Sequence, residues 1–433
     1  MLKLAVPTFL VIGAGPTGIG AAVRLTELGI DHLVVDAGDR IGGMSASITD
    51  AEGFTWDLGG HVLHSHFTEF DDVVAAVGVP MNQVTRNGWV WLRGDGPRSL
   101  LPTPIQQQLT ELPTDLNHGA PLANLADYYR NNFGAKLFGE FFGPYNYKMW
   151  TVPLEDVDHR WTSLRSGSAA PNVPTLALAG TMPAQSGTFP YPVGGTGALW
   201  QAVHDRVLKA GTVRLGVGVA DVDVPGRVAR LTDGSTVRYQ HCVSSAALTS
   251  AMGWIGLTAR TLRASAIYAV GLGLRGEPPA TLADKTWLYC PDPEVPWYRA
   301  TMLNNYDPGN AGPGRWNVLC EVPVLPGREA DAAEAVRGTE ESLRALGLDS
   351  DLVVSRFCRH VPMGYPVPTL GRDAIVREAD ERLRAHGFYS RGRFGGWRYE
   401  SSNQDYGYLQ GRQAVDAALS GAAEDVYWHP ERF

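Results

Sequence analysis

Residues 8–36, TFLVIGAGPTGIGAAVRLTELGIDHLVVD, decide the fold of this chain. The first five are a compact apolar run of the length of a buried strand. GAGPTG follows, and Gly13, Gly15 and Gly18 stand at the spacing GxGxxG, with Thr17 inside the same turn. In a strand, turn and helix unit the first glycine permits the tight turn. The second lets a pyrophosphate approach the backbone, and the third lets the helix pack on the strand. The helical segment closes on Gly29. A diphosphate at its start meets unpaired N–H groups and the positive end of the helix dipole. A second strand, HLVVD, ends on Asp36, 21 positions after Gly15, where a carboxylate accepts hydrogen bonds from a ribose hydroxyl pair. Strand, glycine turn, helix, strand and acid in register predict a dinucleotide site.

Beyond Asp36 the chain reads AGDRIGGMSAS, with Gly43 and Ser45, and then FTWDLGGHVLHSH, with Gly60 and His61. A βαβ unit continued by R-x-G-G resembles the FAD-binding half of the flavin oxidoreductases, so FAD rather than NAD is the expected dinucleotide. YPVGGTGALW (residues 191–200), the alternating run at 213–224 and the closing GRQAVDAALSG read as returns of the chain to that domain.

With 433 residues and 44% hydrophobic content, the chain can bury a substantial core divided among two or three domains. A net charge of −8 argues against a broad surface for nucleic acid or anionic membrane, because such binding needs many cationic contacts. Cys242, Cys290, Cys320 and Cys358 lie far apart with no CxxC spacing, so neither a metal site nor a disulfide framework is expected. The apolar start runs into the glycine motif rather than a cleavage site, and no apolar run reaches the ~20 residues of a membrane helix. The expectation is a soluble cytoplasmic enzyme.

Apolar positions recur at three and four residues in LANLADYYRNNFGAKLFGEFF, whereas SAIYAVGLGL, KTWLYC and RWNVLCEV alternate or run briefly, with one helix at EADAAEAVRGTEESLRALG. The resulting fold class is α/β. A discontinuous Rossmann-like FAD-binding domain occupies 1–100, 187–261 and 361–433, with a helical insertion at 101–186 and an antiparallel sheet domain at 262–360. The two insertions would roof the flavin.

Backbone N–H groups already serve the dinucleotide's pyrophosphate, so the arginines elsewhere point to a second anion. Arg165, Arg299, Arg393 and Arg398 stand among Tyr145, Trp150, Trp287, Tyr289, Tyr298, Tyr306, Tyr365, Trp397 and Tyr399. Arginine with tyrosine hydroxyls suits a diphosphate in a partly dry cleft, at about 1.5–3 kcal/mol per charge-assisted hydrogen bond. The plain alternative for each arginine is a structural pairing with a nearby acid.

VIGAGPTGIGAA, GFTWDLGGHVLHSH, PYNYKMWTVP, GGTGALW, DKTWLY, WYRAT, NNY, GYPVPTL, SRGRFGGWRYE and NQD follow one another from residue 10 to residue 405. Together they resemble the flavin-dependent UDP-galactopyranose mutases, in particular the eukaryotic-type branch. The resemblance implies that Arg165 and Arg299 clamp the substrate diphosphate, with Tyr289, Tyr306, Tyr365 and Tyr399 around it. It places Tyr145, Asn146, Trp150 and Trp287 about the sugar and nucleotide pocket, and His61 and Arg393 beside the flavin. Asn403 and Gln404 follow at the family's spacing. The implied reaction is a pyranose–furanose isomerisation of a nucleotide-linked galactose through an adduct between the sugar and N5 of reduced FAD, with no net redox change. NADPH or NADH is the implied reductant, with Arg86 matching a position used there.

Two departures bear on specificity. In LPTPIQQQ, Thr103 and Ile105 stand where the family has aromatics around the uracil, flanking Pro104 and followed by Gln106. The base is thereby left open between uridine and guanosine, with Gln106 a base-edge donor and acceptor. Tyr406 and Gly407 replace a histidine and a serine, the latter linked with the nicotinamide cofactor. The competing readings are an amine oxidase or desaturase on the same scaffold, which wants an apolar tunnel, and a non-catalytic flavoprotein that binds sugar nucleotides.

Overall fold

A computed structural model describes residues 8–63, 65–91, 119–164, 188–258, 261–327 and 331–433. Phe9–Ile12 is the central strand of a five-stranded parallel sheet because it is apolar on both faces. Phe9 and Val11 enter one core and Leu10 and Ile12 the other. It pairs with His32–Val35 and His241–Ser244, and the edges are Val213–Arg214 and Phe388–Ser390. The chain therefore leaves this sheet and re-enters it twice.

One face carries the helices Pro16–Glu27, Thr68–Val77, Thr196–Val207 and Gln404–Ser420. The first and last of these cross backbone to backbone. A Cβ on Gly20 would lie 2.1 Å from the Tyr408 carbonyl oxygen, and one on Gly411 would lie 1.9 Å from that of Thr17. The opposite face packs on helices Leu248–Trp254 and Arg372–Arg384 and on a three-stranded antiparallel meander spanning 219–238.

A six-stranded sheet forms the second layer, in the order Val353–Val367, Arg263–Arg275, Arg315–Pro323, Arg299–Thr301, Trp287–Tyr289, Gly88–Val90. Its pairs are antiparallel except the last, which is parallel. That strand comes from the N-terminal part of the chain. It closes on its neighbour through Gly88, where a Cβ would sit 2.3 Å from Trp287 Nε1. Val353–Val367 also runs through residue 360, the expected domain boundary, because its pairing with Arg263–Arg275 persists to the Arg263–Val367 pair. Gly271 and Gly273 leave the sheet surface bare for the rings of Trp56 and Phe54, which would lie within 2.6 Å of any Cβ there.

Leu125–Leu137, a π-helical turn at Phe138–Phe142, and Gly143–Trp150 make the helical layer. Asn124 starts it by accepting the Asp127 N–H at 3.0 Å. Lys148 anchors it to the sheet domain, its ammonium donating to the carbonyls of Asp292 and Trp297 at 2.8 Å and of Cys290 at 3.2 Å. Among the described residues no helix is long and apolar enough to cross a membrane. All four cysteines are free thiols.

Candidate active site

A cavity of about 730 Å³ is lined both by the glycine-motif residues and by the arginine–tyrosine group. Gly13, Gly15, Thr17, Asp36, Gly43, Ser45, Gly60, Asn403 and Gln404 face it, as do His61, Arg86, Trp287, Tyr289, Arg299, Tyr306, Tyr365, Arg393 and Tyr399. The segments around Arg299 and Arg393 converge on one space with the glycine motif.

At the glycine turn Gly13 takes φ +103°, a left-handed conformation that suits glycine. Gly15 caps the helix Pro16–Glu27 without any side-chain hydrogen bond, and Gly15, Pro16 and Thr17 at the helix start line the cavity. Asn403 starts Gln404–Ser420 in the same way, without a side-chain cap bond. Gly43 lies against Gly15, whose Cα would be 3.2 Å from an added Cβ. Gly18 does not line the cavity; a Cβ there would strike the Gly13 carbonyl at 1.8 Å, so its role is helix packing. Asp36 accepts the N–H groups of Ala14 and Gly38, each at 2.6 Å, and thereby braces the turn as well as facing the cavity. Gln404 accepts Trp200 Nε1–H at 2.6 Å, leaving its buried Nε2 without a partner among the described residues. Bare glycine backbone, two uncapped helix starts and an orphaned amide fit a dinucleotide with a carbonyl-rich ring system.

Arg299 and Glu321 oppose each other across neighbouring antiparallel strands and meet at 2.5 Å. Arg299 also donates to Tyr365 Oη at 3.4 Å, and its buried Nε–H has no partner among the described residues. Glu321 Oε1 accepts in addition the Gly60 N–H at 2.8 Å, and Oε2 accepts the Tyr298 hydroxyl. Burial works against both charges, but each holds the other, so the guanidinium stays protonated and the carboxylate stays below its usual range.

His61 lies beside this pair. Burial lowers its pKa to about 4, the Arg393 and Arg299 cations add to the effect, and Glu321 opposes it. The imidazole is therefore neutral near pH 7, with Nδ1 buried and without a partner among the described residues. Arg393 donates to the Gly364 carbonyl at 3.3 Å and lies 5.3 Å from the Tyr365 ring centre. Burial raises Tyr289, Tyr306 and Tyr365, which keeps each hydroxyl a donor. Arg86 stacks over Phe189 at 5.3 Å.

Some expectations differ. Arg398 does not serve an anion: it donates to Glu400 at 3.1 Å, and Glu400 is also gripped by the two terminal nitrogens of Arg372. Arg391, in the same arginine-rich segment, is fully buried between Glu424 and Asp380 at 2.6 Å. Tyr145, Asn146 and Trp150 stand behind the wall rather than on it. Tyr145 packs edge-on to Tyr289, and Trp150 packs edge-on to Tyr365 and Tyr399. Asn146 turns its amide to the Phe142 carbonyl at 2.9 Å. Arg165, Gln106, Thr103, Pro104 and Ile105 lie outside the described residues. The charged cavity residue that sequence reading missed is Glu321. Its signal was an acid inside RWNVLCEV, a strand buried on both faces.

Residues 11–77 match the family model described as an NAD(P)-binding Rossmann-like domain. A crystal structure of reduced UDP-galactopyranose mutase superposes with a TM-score of 0.87 at 31% identity, covering 99% of this chain and 97% of that one. The chain belongs to the UDP-galactopyranose mutase family. Putrescine oxidase (TM-score 0.67, 14% identity, 96% and 99% coverage) and cyclohexylamine oxidase from Brevibacterium oxydans (0.66, 14%, 96% and 99%) share the fold only. Membership of the UDP-galactopyranose mutase family, with the Rossmann-like match and the fit of the glycine-lined wall, supports a flavin as the dinucleotide.

Proposed function

We propose that this chain is a nucleotide-diphospho-galactopyranose mutase, interconverting the pyranose and furanose forms of a UDP- or GDP-linked galactose on FAD. The observation that carries this reading is Arg299, a part-buried guanidinium whose buried Nε–H has no partner among the described residues, opening among tyrosine hydroxyls onto the cavity that the glycine motif also lines. An apolar amine would leave that cation and those donors unanswered, so the oxidase reading is disfavoured. Reduced flavin, when bound, supplies the nucleophilic nitrogen for such a reaction.

The chain's own residues bind and orient. Gly13, Gly15, Thr17, Asp36, Gly43, Ser45, Gln404 and the helix start at Pro16 would hold the dinucleotide. Arg299, with Arg165, would clamp the diphosphate, and Tyr289, Tyr306, Tyr365 and Tyr399 would donate to its oxygens. Neutral His61 and the Arg393 cation would border the reacting centre. Tyr145, Asn146 and Trp150 would stiffen the wall from behind. Arg86 is the proposed contact for a nicotinamide reductant, and a eukaryotic-type relationship, the discontinuous domain division and residues 103–106 as the base pocket belong to the same proposal.

The test is chromatography of chemically reduced, FAD-loaded protein with UDP-galactopyranose and, in parallel, GDP-galactopyranose. A furanose-nucleotide peak is expected, and its dependence on the base assigns the role of Thr103 and Ile105. Should Thr103→Tyr with Ile105→Phe leave the base preference unmoved, that pocket assignment fails.

A further inference from the structure

One carboxylate oxygen serves two partners from distant parts of the chain. Glu321 Oε1 receives the Arg299 guanidinium at 2.5 Å and the Gly60 N–H at 2.8 Å, tying the arginine to the Gly59–Gly60–His61 turn, 261 residues away in sequence from the carboxylate. The turn packs closely on this arrangement, with no space for a side chain. A Cβ on Gly60 would lie 2.6 Å from Thr301 Oγ1 and 3.3 Å from Arg299 Nε, and one on Gly59 would lie 3.2 Å from Glu321 Oε1.

The carboxylate is buried, is satisfied on both oxygens and borders the cavity. It sits where an incoming diphosphate would find a like charge. Attraction of a diphosphate to Arg299 and its repulsion by Glu321 are therefore opposed, because both anions address one guanidinium. A stability role alone does not require the acid to face the cavity or to hold a turn from a distant part of the chain.

Resting on the mutase reading, we propose that Glu321 is a positioning residue with two effects. It fixes the Arg299 guanidinium relative to the His61 turn, and it competes with the nucleotide diphosphate for that guanidinium, which tempers the affinity. Glu321→Gln keeps the shape and both acceptor contacts of Oε1 but removes the charge. Glu321→Asp keeps the charge but withdraws it by one methylene, out of reach of Gly60.

The experiment titrates UDP into oxidised, FAD-loaded wild type and the two variants by calorimetry, with turnover of UDP-galactose measured on the reduced forms of the same preparations. Flavin content and absorbance check that each is folded. Expected is UDP binding about tenfold tighter in Glu321→Gln, with KM and kcat both lowered, and weaker binding with reduced kcat in Glu321→Asp. Unchanged or weaker UDP binding in flavin-loaded Glu321→Gln overturns the competition, and unchanged kcat in Glu321→Asp overturns the positioning. Wild type that turns over substrate alongside either of those outcomes contradicts this proposal alone. Wild type that neither binds UDP or GDP nor turns over either galactose nucleotide, both run as controls, contradicts the mutase reading and this proposal with it.

Discussion

Arg299 and Glu321 face each other across adjacent strands, 2.5 Å apart, the carboxylate buried and the guanidinium part-buried, beside the cavity that the glycine motif opens. The fork geometry of the guanidinium lets one nitrogen hold Glu321 while others stay available to a ligand. Arg299→Lys keeps the charge but supplies a point donor in place of the fork. We expect UDP binding to weaken at least tenfold with flavin content unchanged, read by calorimetry on the oxidised holoenzyme. Equal affinity would remove Arg299 from the diphosphate site.

His61 gives a pH prediction. Its folded pKa of about 4 lies below the ordinary 6.5, so between those values the unfolded chain takes up a proton that the folded chain refuses. The contribution of His61 to stability is complete above pH 6.5 and is lost as pH falls toward 4. Thermal unfolding of the wild type should therefore drop more steeply over that window than unfolding of His61→Gln, with the two curves parallel above pH 7.

Arg391 and Arg382 make a contrasting pair. Arg391 is sealed between Glu424 and Asp380, so Arg391→Ala leaves these buried carboxylates with only the more distant Arg384 and should cost about 3–5 kcal/mol in denaturant unfolding. Arg382 meets Glu378 on an exposed helix face, and Arg382→Ala should barely move the same curve.

Gly411→Ala tests the crossing of the first and last helices. The added methyl would meet the Thr17 carbonyl at 1.9 Å and must push the glycine-motif helix outward. Lower melting temperature and lower FAD retention after dialysis are expected together. Stability loss with full FAD retention would separate the crossing from the dinucleotide site.

How far the sequence could be read follows from the range of each interaction. Gly13, Gly15, Gly18 and Asp36 were legible because turn, helix start and acid lie within one local unit whose spacing carries the chemistry. The six-stranded sheet was legible from the short apolar runs SAIYAVGLGL and RWNVLCEV, which are neighbouring strands within it. Arg398 was misleading, since an arginine among aromatics reads the same whether its acid is across a cavity or across a core. Glu400, only two residues from Arg398, was the available clue. Glu321 and Gly60 were not connected by any local pattern, because a contact spanning 261 residues is set by strand register in one layer and a turn in another. Tyr145 and Trp150 were placed one layer too far forward for the same reason.

The most direct test of the central claim is to incubate UDP-galactofuranose with FAD-loaded protein, half chemically reduced and half left oxidised, and to resolve the nucleotide sugars by chromatography. The account predicts UDP-galactopyranose from the reduced half alone, with the GDP-linked sugar run beside it to fix the base. No pyranose peak with either base from reduced, flavin-replete protein, together with steady oxygen consumption on an amine, would contradict it.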